Sequence, residues 1–427
     1  MFRRIIVLLS IIVIPLLSGG SEITILYSGS TNGILESCHC PGNPFGGLVN
    51  RATVIDSFKK ADGNVIVVDV GDFLPVEGDS LKSSYVLKAL EYCSLDAAAP
   101  GDQDFIFGKD YAKDSGVPFI SPSIFDIQSR SYLFQTYKVF DYDSVKIAVT
   151  SLFNPDLFRF FPDSIRNSIG VEKPEATWKR FGSLMREQAD IVVVLSHMGY
   201  ENDVEFLQKY EGIDILVSGH SQVFLAQPDT VGSALLLAPG KNGEHLGRLT
   251  LTVDSLGGIA EYDHEIIPLI AEEVGESAEI RELIEEYDHA LHEELKRKAI
   301  AAGRKFNGNA FCGACHAAEL EHWQTTAHAH ALETLEKMGK AGNSSCIDCH
   351  TTGFGYPGGF VSKEETPELG GIGCEECHRI PPKTEFGGNE PHRVLPLIEK
   401  WCTRCHKKPH IVEFDFETMK KDVQHND

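Results

Sequence analysis

Residues 22–254 predict an α/β domain, and residues from 306 onward predict a mostly α segment of low secondary structure. Three observations carry that division. Short β-branched runs alternate with helix-patterned ones throughout the first stretch. Beyond Phe306 strand signal is sparse, while Gly and Pro are frequent. Within that second stretch Cys-x-x-Cys-His occurs four times, between Cys312 and His406.

At 427 residues the chain has room for two or three domains, and 42% hydrophobic content is enough to fill real cores. A formal net charge of -23 argues against nucleic acid and anionic membrane surfaces as partners. A partner should be neutral, cationic or metallic.

The first element is a leader. Arg3 and Arg4 precede an apolar run from Ile5 to Leu17 and the small residues Ser18, Gly19 and Gly20, the pattern of a signal peptide over residues 1–20. The run is shorter than the roughly 20 residues a membrane span needs, so no transmembrane anchor is expected after cleavage. The expected location is the periplasm or the cell surface, where thiols outside the four motifs, Cys38, Cys40 and Cys93, are free to pair.

The first domain is assigned to residues 21–265. Its strand candidates are 22–27, 64–70, 145–152, 191–197, 213–218, 233–238 and 248–253, and its helix candidates 48–60, 84–95, 178–188 and 203–210. Polar or glycine-rich turns follow several strands, at Ser28 to Gly33, Gly71 to Asp72, His197 to Gly199 and Gly219 to Gln222. Open α/β folds collect their ligands at that edge. The insert ESCHCPGNPFGG lies there too, with Cys38, His39 and Cys40 able to ligate a metal, to meet Cys93, or to stay idle.

Residues 266–305 read as a helical linker. Ile280, Leu283, Ile284, Tyr287, Leu291 and Leu295 recur at three- and four-residue spacing, an amphipathic stripe that packs on one or both neighbours. His289 and His292 read as exposed helical residues.

Residues 306–427 hold the repeats: Cys312, Cys315 and His316; Cys346, Cys349 and His350; Cys374, Cys377 and His378; Cys402, Cys405 and His406. Two thiols at this spacing reach two vinyl groups on one porphyrin edge, and the adjacent imidazole becomes an axial ligand of the iron. Zinc sites and disulfide frameworks have no reason to repeat a His after every second Cys. Four covalent haem c groups would supply the core that this aliphatic-poor segment lacks.

Each iron has a sixth position. The remaining His of this segment are His322, His328, His330, His392, His410 and His425, against only Met338 and Met419, so bis-His ligation is expected. If 317–338 forms one helix, His328 lies on the apolar stripe of Leu320, Ala327, Ala331 and Leu335, with His330 roughly 160° away. His322 reads as a surface residue beside Trp323.

Two resemblances add to this reading. The phrases ITILYSGSTNG, GGLVNRATVI, VVDVGDF, LDAAAPGDQDFIFG, IVVVLSHMGYENDVEF, GIDILVSGHSQ and APGKNGEHLGRLTLTVD resemble, in order and spacing, the metallophosphoesterase domain of secreted 5'-nucleotidases. The resemblance implies a calcineurin-like β-sandwich flanked by helices. That family holds two metal ions with an Asp-x-His, a bridging Asp, an Asn-His pair, a lone His and a His-x-His. The matching positions here are Ser30 and Asn32, then Asp72, then Asp102 and Gln103, then His197, then His220 and Gln222.

One metal position thus loses most of its ligands. The other keeps Asp72, Asp102, His197 and His220, a set able to hold a single zinc, manganese or iron ion. A two-metal clamp for phosphoryl transfer could not form as the family builds it. The bland alternative is that the four are remnants satisfied by hydrogen bonds.

The segments FNGNAFCGACH, EHWQTTAHAHALETL, CIDCHTTGFGYPGGF, GIGCEECH and CTRCHKKPHIVEFDF closely resemble the cytochrome c-554-like multihaem family, whose members pass electrons in the periplasm. By position the resemblance implies His328, His392, His410 and His425 as distal haem ligands. Arg379, Ile380, Pro381 and Pro382 stand where that family has Gly-Pro-Gly. Three readings follow: an electron-transfer protein, a phosphohydrolase with one metal and an appended cytochrome, or a redox enzyme acting on a small nitrogen or sulfur compound at an open haem. The first is preferred.

Overall fold

The computed structural model describes residues 21–37, 44–142, 145–254, 256–302, 306–378, 398–406 and 414–425. The signal-peptide expectation for 1–20, the role of Cys38 and Cys40, and the distal candidates His392 and His410 lie outside the described residues.

Strands form where β-branched residues run: β1 (Ser21–Ser28), β2 (Val65–Asp69), β3 (Ala97–Ala98), β4 (Ile124–Asp126), β5 (Tyr137–Tyr142), β6 (Val145–Phe153), β7 (Ile169–Val171), β8 (Ile191–His197), β9 (Ile215–Ser218), β10 (Asp229–Val231), β11 (Ala234–Leu237), β12 (His245–Val253) and β13 (Ile259–Pro268). One sheet has the order β13-β12-β1-β2-β3, a second the order β10-β11-β9-β8-β6-β5, and β4 pairs with β7. Strands β1, β2 and β3 are parallel, as are β6, β8, β9 and β11.

The sheets pack face to face. Alternate residues Ile23, Ile25, Tyr27, Ile66 and Val68 of one meet Ile147, Val149, Val193, Leu195 and Val217 of the other. The opposite faces are covered by helices: Leu48–Ala61 and Ser80–Glu91 over the first sheet, Pro174–Arg186 and Tyr200–Lys209 over the second. Because β2 and β8 are covered on both sides, they are buried throughout and read as unbroken apolar runs.

The helix Ala278–Ala302 belongs to this packing. Ile280, Ile284 and Tyr287 are buried in the layer outside the first sheet. Its other flank meets the second segment, where Asp288 accepts hydrogen bonds from Ser344 N at 3.4 Å and Ser344 Oγ at 3.0 Å. The preceding strand β13 runs on to Pro268.

The second segment is made of short helices, among them Asn309–Gly313, Ala317–Gln324, Ala331–Lys337, Ser344–His350, Cys374–His378 and Glu399–Cys402. Its apolar cluster is small, with Leu332, Leu335, Ile347, Phe360 and Leu369 buried. The stretch expected as one helix over 317–338 is broken between Gln324 and Ala331. Thr325 and Thr326 are the physical cause: their hydroxyls donate to the carbonyls of His322 and Trp323, each at 2.7 Å, in competition with the helical ladder.

Candidate functional site

The parallel strands deliver their turns to one edge. Asp72 follows β2, Asp102 follows β3, His197 ends β8 and His220 follows β9; one ligand atom from each lies within 4.8 Å of the others. His197 Nε2 is 3.2 Å from Asp102 Oδ1 and 3.4 Å from Asp72 Oδ1, and His220 Nδ1 is 3.1 Å from Asp102 Oδ1. His197 Nδ1 donates to the carbonyl of Val70 at 2.7 Å, which fixes the ring with Nε2 toward the carboxylates. Gly101 is required beside this pair, since a Cβ there would fall 2.3 Å from Asp72 Oδ1.

The backbone at the site is unusual. Ser30, Asn32, Asp72, His220 and Gln222 all have positive φ, between 47° and 64°. Non-glycine residues in this region cost energy and cluster at functional sites.

Electrostatics match a cation. Burial alone would lower the His197 imidazole, but the charge of Asp72 and the hydrogen bond to Asp102 hold it well above its ordinary value. Burial alone would raise Asp102, but hydrogen bonds from His197 and His220 hold it well below the usual carboxylate range. Two carboxylates and two imidazoles at this spacing fit one divalent ion of the zinc, manganese or iron kind.

The neighbouring position is different. Gln103 Nε2 donates to Asn32 Oδ1 at 3.1 Å, and Asn32 Nδ2 donates to Asn242 Oδ1 at 3.1 Å. A chain of neutral amides therefore runs through Asn32 and Gln103, two positions where the resemblance implied ligands of a second ion. Ser30 is buried beside it, whereas Gln222 is exposed.

Three supporting carboxylates escaped the sequence reading. Asp104 is buried and accepts the backbone N–H groups of Asp72, Phe73 and Gly101 at 3.1, 2.9 and 2.8 Å; burial, with the charge of Asp72, raises it to about 7. Asp203 accepts the hydroxyl of Ser196 beside His197, and burial raises it to about 7 as well. Asp69 is paired with fully buried Arg51 at 2.7 Å. The run of Asp around 102 was the one signal that could have flagged Asp104.

In the second segment the motifs meet in pairs. The Cys312 thiol hydrogen-bonds Cys374, and the Cys405 thiol hydrogen-bonds Cys349, so motif one adjoins motif three and motif two adjoins motif four. Among the described residues, none of the eight motif thiols forms a disulfide. The rings of His328 and His406 have centroids 5.8 Å apart and planes inclined at 66°, and those of His378 and His425 lie 6.1 Å apart at 24°. Two imidazoles sharing one iron, each about 2 Å away through nitrogen, require a centroid separation of about 6 Å.

Other details suit axial ligands. His350 Nδ1 donates to the carbonyl of Ala331 at 2.8 Å, leaving Nε2 available. Among the described residues, the buried Nδ1 atoms of His378, His425 and His322 have no hydrogen-bond partner. A cavity of about 430 Å³ is lined by His328, His350, Trp401 and His406, and one of about 280 Å³ by His378, Trp323 and His425. These features fit porphyrin irons at the motifs.

The placement of His322 on the surface is corrected. Its ring lies 5.6 Å from that of His425, because Trp323 Nε1 donates to the Ile372 carbonyl at 2.8 Å and pins the helix against the loop before Cys374. His330 is exposed and pairs with Glu333 at 3.2 Å.

Known proteins resemble the two parts separately. Residues 311–379 match the family described as cytochrome c554 and c-prime. Cytochrome c-554 of Nitrosomonas europaea is 34% identical over 96 residues, 19% of this chain and 41% of that protein. The 2',3'-cyclic-nucleotide 2'-phosphodiesterase/3'-nucleotidase of Salmonella typhimurium is 25% identical over 257 residues, 50% of this chain and 40% of that protein. The chain thus spans about two fifths of the length of these curated relatives.

Among solved structures, the sulfate thiohydrolase SoxB of Thermus thermophilus superposes with a TM-score of 0.58 at 20% identity, covering 64% of this chain and 61% of that one. A 5'-nucleotidase precursor from Thermus thermophilus gives 0.58 at 21% identity, covering 66% and 61%. At these identities the likeness establishes the fold. The chain accordingly joins a first domain similar to 5'-nucleotidases, with the fold of the calcineurin-like phosphoesterases, to a C-terminal segment that matches the cytochrome c554 family over residues 311–379.

Proposed function

We propose that the chain is a secreted tetrahaem c-type cytochrome that transfers electrons through closely spaced, mostly bis-His haems. The first domain serves as a docking unit or holder of one divalent ion. The observation that carries the reading is the facing of motif and non-motif imidazoles, His406 with His328 at 5.8 Å and His378 with His425 at 6.1 Å. Haem bound at Cys312, Cys315, Cys346, Cys349, Cys374, Cys377, Cys402 and Cys405 would supply a one-electron couple, of low potential where both axial ligands are His. The protein's own part is to hold the imidazoles, exclude water and keep neighbouring groups close.

The partner is a redox protein or an extracellular or periplasmic acceptor, neutral or cationic given the net charge of -23. The described helices include none long and apolar enough to cross a membrane. Intact mass and visible spectroscopy test the proposal: four covalent haems with at least three low-spin irons are expected, and fewer than three haems would overturn it.

A second reading is favoured by the cluster Asp72, Asp102, His197 and His220, which suits a single ion and hence a one-metal phosphohydrolase. Against it stands the amide chain of Gln103, Asn32 and Asn242 in the partner position. Metal analysis should find one non-haem ion per chain, absent from His197→Ala, with negligible nucleotide hydrolysis in manganese. Robust turnover abolished by Asp72→Ala would reverse the ranking.

A further inference from the structure

Between the two cysteines of motifs two, three and four stand Asp348, Glu376 and Arg404. The fold brings these three side chains together. Arg404 Nη2 donates to Asp348 Oδ1 at 2.8 Å, and Arg404 Nη1 donates to Glu376 Oε2 at 2.9 Å. Glu376 uses its other oxygen to accept the backbone N–H of Gly353 at 2.6 Å. The guanidinium carbon also lies 5.6 Å from the centre of the Tyr356 ring. The side chains of Arg404 and Glu376 are 23% and 14% exposed, and that of Asp348 is 49% exposed.

Arg404 lines the same cavity as His328, His350 and His406. Its charge is permanent, and its planar fork presents separate donors to two carboxylates on two different helices. Away from bulk water a fixed charge acts over several ångströms with little screening. A positive charge favours the electron-rich state of a nearby redox group, and a carboxylate disfavours it.

We infer that Arg404 sets the reduction potentials of the haems on motifs two, three and four, its guanidinium offsetting Asp348 and Glu376 at the point where the three attachment motifs meet. The inference rests on the haem reading above. Adding one electron to a ferric porphyrin lowers its charge by one, with no bond made or broken. Arg404 stabilises that product electrostatically, and loss of its charge leaves two carboxylates facing the same cavity.

The alternative is a staple that joins loops without influence on potential. The two differ in sign. Removing a staple from either end loosens the same contact, so arginine and carboxylate variants behave alike. Removing charge acts in opposite directions.

The test uses the full-length, haem-loaded protein, titrated potentiometrically with dithionite and mediators, after intact mass has counted the haems. Arg404→Gln should lower at least one midpoint by the equivalent of about tenfold in the reduced-to-oxidised ratio, ~59 mV for a one-electron couple. Asp348→Asn and Glu376→Gln should raise midpoints, and Arg404→Lys should fall closer to the parent than Arg404→Gln. If Arg404→Gln fails to mature, the half-exposed Asp348→Asn and the charge-keeping Arg404→Lys decide alone. Four haems with midpoints unmoved in the carboxylate variants, or moved the same way in all variants, overturn the inference while leaving the haem reading intact. Too few haems in the parent overturns both.

Discussion

Arg281 donates to Glu36 across 2.6 Å, and the same carboxylate accepts a hydrogen bond from Asn343, three residues ahead of Cys346. One side chain thus joins a loop of the phosphoesterase-like domain, the helix Ala278–Ala302 and the haem-motif segment. Only 11% of the Glu36 side chain is exposed, so truncation leaves two donors without their acceptor. Glu36→Ala should weaken this junction by about 1–2 kcal/mol. Hydrogen exchange should then quicken roughly tenfold along Ala278–Ala302, with the sheets still protected; unchanged exchange would contradict the assigned role.

A second prediction concerns the buried pair of Arg51 and Asp69. Arg51 and Asp69 are both fully buried, and Arg51 also donates to Ser28 Oγ at 3.0 Å and to Thr31. Burial raises Asp69, and the Arg51 charge opposes that rise. Removing the arginine strands the carboxylate, a loss of about 3–5 kcal/mol. Arg51→Met should show it in urea unfolding, and Arg51→Met with Asp69→Leu should recover most of it.

Axial ligation gives a third prediction. His328→Ala and His425→Ala should each convert one haem from low spin to high spin, with four haems still attached. Electron paramagnetic resonance of the oxidised protein reports the change. His330→Ala, at an exposed position, should leave the spectrum as in the parent.

A fourth prediction follows from Asp288. Burial raises its carboxyl from 3.8 to about 6, against the lowering hydrogen bonds of Ser344, with Glu36 adding to the rise and Arg281 opposing it. The folded protein therefore holds this proton more tightly than the unfolded one. Its contribution to stability is complete below about 3.8 and is lost as pH climbs through about 6. Allowing for partial solvent screening, the loss is about 1 kcal/mol. The junction should be tighter at pH 5 than at pH 7.5, and Asp288→Asn should abolish the difference in thermal unfolding.

The sequence was most legible where burial is two-sided. Strand β8 coincides with its expected span 191–197, and helix Leu48–Ala61 extends the expected 48–60 by one residue. Strand β13 escaped notice because half of its residues are exposed and none is fully buried, and β5 because it is a half-buried edge strand. The four clustered metal candidates came from the resemblance, position by position. Asp203 and Arg51 could not be read, because their roles depend on partners brought close only by the fold. The helix break at Thr325 was a local contest between hydroxyl and ladder, which apolar spacing does not register.

The left-handed turns at Ser30, Asn32, Asp72, His220 and Gln222 have one more consequence. Each bend is held by surrounding structure, for instance by Ser30 N and Asn32 N donating to the carbonyls of Gly71 and Asp72 at 2.9 and 2.8 Å. The mould of the site is therefore independent of what is cast in it. Placing carboxylates and imidazoles at Ser30, Asn32, Gln103 and Gln222 should therefore add a second ion-binding position without redrawing a loop, in a chain that also carries four haem-attachment motifs.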